Sequence, residues 1–278
     1  MKDVQNQPDE RGIAINRVGV KNIHLPFSIL EQNRGHQTVQ ANVCMAADLH
    51  KEYKGTHLSR FVDILGQWSQ RQICGKDLRA ILANGQERLG AARTEISLQF
   101  KYFIEKQAPV SMQTSWMDYD VSFHGVLERE VFTFIMGVVV PIQTLCPCSK
   151  TISKHGAHNQ RAHLTVKTQL RADGFMWIEE LVRQMEGLGS CELYPLLKRE
   201  DEKFVTEQAY ENPKFVEDVL RDAVLALRQD QRVAWFQVEC ESHESIHNHN
   251  AFAYHAEWVD AQVPESETLT AHREFALP

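Results

Sequence analysis

Val131-Phe132-Thr133-Phe134-Ile135-Met136-Gly137-Val138-Val139-Val140-Pro141 is an apolar run rich in β-branched and aromatic residues, and it leads into Leu145-Cys146-Pro147-Cys148-Ser149-Lys150. The run reads as a buried strand. Past its end come Cys146, Cys148, His155, His158 and His163, thiols and imidazoles delivered by a strand into a loop. That is a place for chemistry, and the strand is also where the pattern of the chain starts over.

Before it, Val18 to Leu30 and Thr38 to Leu49 read as strands. A helix follows, with Thr56 as its expected cap and Leu58, Phe61, Val62, Leu65 and Trp68 at helical spacing. Lys76 to Gly90 is a second helix on Leu78, Ile81, Leu82 and Leu89. Arg93 to Ile104 alternates Ile96, Leu98, Phe100 and Tyr102 as a strand, and Asp118 to Gly125 is the next. The order is β-β-α-α-β-β.

From Val131 to Gln143 it begins again, with Ala162 to Leu170 as the partner strand and Phe175 to Met185 as a helix. Gly187 to Glu211 reads as a long polar loop. Asn212 is then expected to cap a helix with Pro213 at its first position, striped by Phe215, Val216, Val219, Leu220, Ala223, Val224 and Leu227. Val233 to Glu241 and Ala251 to Trp258 close the chain as strands. The halves share pattern, not residue identity.

Two ββααββ units predict an α+β protein whose antiparallel sheets carry helices on one face. The other face is then wetted, filled by the other half, or covered in an oligomer, and oligomerisation is expected. The expected divisions are a flexible N-terminal tail at 1–15, a first unit at 16–126, a second unit with the site at 127–260, and a C-terminal tail at 261–278.

Bulk properties set limits. The chain has 278 residues, 43% apolar and 24% charged, as in a globular protein. A net charge of −7 argues against a broad nucleic-acid footprint, though local cations can still hold a phosphate. No apolar run approaches the ~20 residues that span a bilayer, so no membrane partner is expected. The polar start has no signal core, which points to the cytoplasm. Six cysteines in a chain this long do not make a disulfide scaffold, and Cys44, Cys74, Cys191 and Cys240 read as buried free thiols.

The Cys-x-Cys pair has no second pair to complete an all-cysteine metal site. Thiols, imidazoles and a carboxylate from elsewhere suit an open site, with a position left for water. Four other stretches bear on it. Glu244-Ser245-Ile246-His247-Asn248-His249-Asn250 sets two imidazoles between two strands, Glu217 flanks the apolar stripe of its helix, and Lys198 to Lys203 is a charge run of the kind that faces solvent. Lys54-Gly55-Thr56-His57-Leu58-Ser59-Arg60 puts cations and hydroxyls at a helix N-terminus, where an anion is favoured. No Walker loop and no GxGxxG fingerprint is present, so a nucleotide would be held in another way.

Taken together these segments resemble GTP cyclohydrolase IB, the prokaryotic enzyme of folate and pterin synthesis. The resemblance rests on Leu145 to Lys150 with Gly156-Ala157-His158-Asn159-Gln160-Arg161, on Lys54 to Phe61, and on Asp201-Glu202-Lys203 with Val205-Thr206-Glu207. It rests also on Tyr210-Glu211-Asn212-Pro213-Lys214-Phe215-Val216-Glu217-Asp218 and on Glu244 to His249. It runs from about Val18 to about Trp258. It implies a tunnelling fold of two tandem ββααββ units, a homotetramer with active sites near subunit interfaces, and the conversion of GTP and water to 7,8-dihydroneopterin triphosphate and formate.

By that resemblance Cys146, His158 and Glu202 are the expected metal ligands, and the mixed donor set leaves manganese, iron and zinc open. Cys148 is either a thiol beside the metal or one acting directly on an intermediate. His247 and His249 are the acid/base candidates, with ligation a second possibility for His247. Glu217 is the expected guanine anchor, and His57, Arg60, Lys150 and Lys203 are the expected triphosphate contacts. Other readings are a nitrile reductase of queuosine synthesis on the same fold, a non-catalytic nucleotide or pterin binder, and a Cys-His hydrolase.

Overall fold

A computed structural model describes residue 5 and residues 7–259 of the chain. The expected C-terminal tail at 261–278 lies outside the described residues. In the expected N-terminal tail, Pro8 forms a β-bridge with Tyr53, and Lys54 N–H donates to the Gln7 carbonyl at 3.0 Å.

The first half runs β1 (Ile15–Glu31), β2 (Gly35–Leu49), α1 (Leu58–Trp68), a two-residue β3 (Gln72–Ile73), α2 (Leu78–Leu89), β4 (Arg93–Gln107) and β5 (Thr114–Glu128). The second runs β6 (Val131–Leu145), α3 (Pro147–Ile152), β7 (Asn159–Leu170), α4 (Ile178–Glu186), β8 (Cys191–Glu192), α5 (Arg199–Glu211), α6 (Val216–Gln229), β9 (Val233–Ser242) and β10 (Ala251–Trp258). The strands form one sheet in the order β10-β9-β7-β6-β5-β4-β2-β1-β3, with β8 beside β6. All pairs are antiparallel except β1 with β3. The expected separate sheets are thus one, joined where β5 pairs β6.

Strand alternation makes one face of this sheet apolar. A single cross-strand row runs Val43, Leu98, Phe123, Met136, Thr168, Phe236, all buried. Helical stripes cover that face: Phe61, Ile64 and Leu65 from α1, Leu78, Ile81 and Leu82 from α2, Leu181 and Val182 from α4, and Val219, Ala223 and Leu227 from α6. Each of these side chains larger than alanine stabilises the fold by ~1.5–3 kcal/mol on burial. The opposite row reads Cys44, Ser97, His124, Ile135, Gln169, Trp235, a mixed face.

Helix ends differ from the expected ones. α1 is preceded by His57, not capped by Thr56, and α2 ends as read, at Gly90 with φ +66°. The expected loop at 187–211 contains α5. Asn212 ends α5 and does not begin α6; its amide donates to the Gly189 and Ser190 carbonyls at 3.1 and 3.2 Å. α6 starts at Val216, where Asp218 accepts the Phe215 N–H at 3.1 Å. α5 escaped detection because it has no apolar stripe: only Asp201 and Ala209 are buried in it.

A buried polar cluster ties α4 to the first half. Lys106 Nζ donates to Glu186 at 2.7 Å, and the Tyr119 hydroxyl donates to the same oxygen at 2.6 Å. Tyr102 donates to Glu179 at 2.8 Å. Burial pushes the Glu186 carboxyl above its ordinary value, and the Lys106 ammonium opposes that shift. Lys106→Met leaves Glu186 without its counter-charge and should cost about 3–5 kcal/mol at neutral pH. A folded-state pKa raised above the unfolded value favours the fold below the unfolded value and is lost as pH rises through the folded one. The penalty in Lys106→Met should therefore shrink as pH falls through the carboxylate range. Urea melts of both proteins between pH 4 and 8 measure it; a penalty that does not vary with pH would mean the charge pair is not its source.

Candidate functional site

The β6–β7 ladder ends at Leu145 and Asn159. One step further the Cys146 N–H donates to the His158 carbonyl at 3.1 Å, so the residues between them form an excursion closed at its base. α3 opens that excursion with Cys146 as its N-cap and Pro147 at its first position, and Cys146 Sγ accepts the Ser149 N–H at 3.4 Å. Ser149 Oγ donates to the Cys146 carbonyl at 3.1 Å and accepts the His158 N–H at 3.2 Å. Two residues twelve apart in sequence are thus held side by side.

A cavity of about 310 Å³ opens here, among the ends of β6, β7 and β9, the start of β10 and the N-terminus of α6. Cys146, His158, Glu217, His247 and His249 all line it. His247 and His249, exposed on the β9–β10 loop, stack at 5.0 Å with their planes 19° apart. Burial, and then the neighbouring Glu217 charge, pushes the Cys240 thiol up to about 12, which disfavours its thiolate.

The other expected residues lie elsewhere. Glu202 is exposed in the first turn of α5 and does not line the cavity. Its neighbour Asp201, read as part of a solvated charge run, is fully buried. It accepts from the Val110, Ser111 and Lys198 N–H groups and from the Ser111 hydroxyl, and these bonds hold its carboxyl well below the usual range even against burial. Lys203 pairs with Glu207 along the exposed helix at 3.9 Å. Lys150 donates to the Tyr210 carbonyl and sits 4.4 Å from that ring centroid. Arg60 ties α1 to α2 through the Arg88 carbonyl at 2.8 Å, and neither it nor His57 lines the cavity. Cys148 is exposed on α3 and is likewise not in the lining.

Sequence reading missed the groups that orient His158. Gln160 Oε1 lies 2.9 Å from His158 Nδ1, and Gln160 Nε2 donates to Thr144 Oγ1 at 3.2 Å. In this orientation of the amide a carbonyl oxygen, which only accepts, faces the imidazole, and the matching tautomer carries its proton on Nδ1 and leaves the Nε2 lone pair free. Glu244 Oε2 stands 3.9 Å from the same Nδ1, with Oε1 held by Ser242 Oγ at 2.9 Å. Both residues stood inside motifs read for their imidazoles. The signal for Gln160 was its place two residues along a strand from His158, hence on the same face.

In kind, this donor set fits a divalent cation: a thiol, an imidazole with a defined free nitrogen, a carboxylate and two further imidazoles. Among the described residues no three such side chains stand together as a formed metal site.

A family model described as type I GTP cyclohydrolase FolE2 matches residues 1–253. The chain is 50% identical over 253 residues to GTP cyclohydrolase FolE2 of Geobacter sulfurreducens, covering 91% of this chain and 96% of that protein. It is 49% identical to the FolE2 of Nitrosococcus oceani, covering 91% and 94%. In structure it is similar to uricase from Arthrobacter globiformis, with a TM-score of 0.57 and 6% identity over 92% of this chain and 97% of that one. At that identity the likeness is one of fold.

If Gln160 sets the His158 tautomer, Gln160→Leu should weaken Zn²⁺ binding by about 10–100-fold, the usual effect of removing a partner behind a ligating histidine. Gln160→Glu, which keeps an acceptor, should retain it. Competition against a chromophoric chelator measures both; equal affinity in all three proteins would leave Gln160 without that role.

Proposed function

The chain belongs to the type I GTP cyclohydrolase FolE2 family, and from that premise we propose how its own residues open GTP to 7,8-dihydroneopterin triphosphate and formate in folate biosynthesis. The observation that carries this reading is the cavity that gathers Cys146, His158, Glu217, His247 and His249 from three separate parts of the chain.

Glu217 projects from the first turn of α6, where its carboxylate accepts from the guanine N1–H and 2-amino group. Cys146 and His158 would hold a divalent manganese, iron or zinc ion, His158 through Nε2. Glu244 is the carboxylate that this cavity supplies in place of Glu202. When bound, the ion lowers the pKa of a water so that it adds to C8 at neutral pH. His247 and His249 move protons to and from the imidazole-ring nitrogens as the C–N bonds break; an imidazole titrates in the range this needs.

Two coarser features support an assembly. The element order and the likeness to uricase support reading the fold as a tunnelling fold of two ββααββ units, the second carrying α5 in addition. Among the described residues β10 ends the sheet on one side, and on the other β1 is paired beyond β2 only at Ser28 and Ile29. Open edges of this length suit pairing with further copies. Since the cavity lacks His57, Arg60, Lys150 and Lys203, we assign triphosphate binding to residues that a neighbouring copy brings to it in a homotetramer.

Incubation with GTP and Mn²⁺, Fe²⁺ or Zn²⁺, followed by oxidation, should yield pterin fluorescence; no product with any metal would overturn the reading. Cys146→Ala should abolish turnover and strip the metal, and full metal occupancy in that variant would remove Cys146 from the ligands. Glu217→Ala should lose GTP binding, by tenfold or more, while keeping its metal. Unchanged GTP affinity would rule out the anchor.

A further inference from the structure

The β9–β10 loop, residues 243–250, carries Glu244, His247 and His249 between the paired strand ends Ser242 and Ala251. Its near end is tied down. The His243 N–H donates to the Arg161 carbonyl at 2.9 Å, Ser242 Oγ donates to Glu244 at 2.9 Å, and Ser245 Oγ donates to Gln160 at 3.3 Å. Among the described residues no main-chain hydrogen bond holds positions 245 to 249. The far end, next to His249, is fixed by the side chain of Asn250.

Asn250 Nδ2 donates to Glu241 Oε1 at 2.7 Å and lies 3.4 Å from His243 Nδ1. A carboxylate only accepts, so the amide nitrogen is the end that belongs at Glu241, and its second hydrogen serves His243 Nδ1. The matching tautomer of His243 then carries its proton on Nε2, 3.1 Å from His163 Nδ1. Burial and the neighbouring His243 hold the His163 imidazole below its ordinary value, which suits it to accept. Every donor in the series Glu241, Asn250, His243, His163 thus meets an acceptor, and the bond to the carboxylate is charge-assisted.

The series spans both ends of the loop and two strands. His163 stands opposite Glu241 across the β7–β9 ladder, and the His163 and His243 rings meet edge-on at 4.8 Å. Strand alternation puts Glu241 on the sheet face opposite Ser242, which lines the cavity; none of the four residues in the series does. Whatever Asn250 does for the cavity, it does through the loop.

We propose that Asn250 is a positioning residue for the reaction. By holding Glu241 and His243 together it closes the base of the loop and sets where His247 and His249 reach into the cavity. This rests on the reading of those two imidazoles as the proton carriers.

The test compares Asn250→Asp with Asn250→Asp/Glu241→Gln. The single change keeps the shape but faces Glu241 with a second carboxylate, so the base of the loop opens. The double change exchanges donor and acceptor and closes it again. With GTP and Mn²⁺, Asn250→Asp should lose about tenfold in kcat, part of what a positioned acid–base group supplies. Its KM for GTP should stay within about twofold of the parent's, because Glu217 sits on α6. Imidazole buffer, a free proton carrier, should recover about threefold, and the double variant should return to within about threefold of the parent. Cleavage after Glu244 by a glutamate-specific protease reads the loop without turnover: it should be about tenfold faster in Asn250→Asp and parental in the double variant. An unchanged kcat, a loss carried by KM, no imidazole effect, a double variant no better than the single, or unchanged cleavage would each overturn the proposal. A parent that makes no pterin fails the underlying reading instead, and the cleavage rates then decide the clamp by themselves.

Discussion

The ladder between β5 and β6 is the constraint on which the rest of the molecule depends. It joins two halves into one sheet, and its register, Phe123 opposite Met136 and Val121 opposite Val138, keeps the apolar face of the first half in line with that of the second. A slip of one residue would turn every strand beyond it over and present Ile135, Val139 and their partners to the helices instead. Helix packing reinforces the register. α4 belongs to the second half, yet its Glu179 and Glu186 are held by Tyr102, Lys106 and Tyr119 of the first. Partners of opposite polarity at those buried points make a shifted sheet costly, since an unpaired buried carboxylate is worse than an apolar residue in its place.

Site geometry follows from where that register ends. β6 and β7 run out together at Leu145 and Asn159, and the next backbone bond, from Cys146 to His158, sets the thiol and the imidazole at the lip of the sheet. β9 ends beside them and turns back through the histidine loop to β10, while the Lys214 N–H bonds to the Leu145 carbonyl at 3.1 Å and brings the start of α6 to the same lip. Strand ends and a helix N-terminus thus hold Cys146, His158 and Glu217 from close by, whereas His247 and His249 sit exposed further out on the β9–β10 loop. In the proposed mechanism that division matches ligands and a purine anchor that need fixed places and proton carriers that need reach.

Strands were legible because one face is buried and alternation reports it directly, as in Ile96, Leu98, Phe100 and Tyr102. Helices with apolar stripes were legible for the same reason. α5 was not, because its stability comes from polar bonds at its first turn, where Asp201 gathers four donors, and hydropathy carries no trace of those. The same blindness hid Asp201 within its charge run. A buried, saturated Asp201 fixes the β4–β5 turn to α5, while Glu202 and Lys203 face solvent. Residue types with metal or acid/base chemistry could be picked out one by one, and Cys146, His158, Glu217, His247 and His249 do converge. Gln160 and Glu244 were not, since what sets them apart is their contact with His158 and the cavity.

The cations expected for the triphosphate, His57, Arg60, Lys150 and Lys203, do not line the cavity of a single chain, for a reason that bears on assembly. Lys150 and Arg60 already donate to main-chain carbonyls of Tyr210 and Arg88, and Lys203 lies along an exposed helix, so none is oriented by its own chain toward the cavity. What the chain offers at that cavity is acceptors: Glu217, Glu244 and imidazoles, with Lys214 turned to Asp222 at 2.7 Å. An acceptor-rich pocket suits the guanine edge and a cation but repels a polyanion. In the homotetramer proposed above, a second copy docked at the sheet edges would present the surface of opposite character that the triphosphate needs, so that assembly would complete the electrostatics of the site.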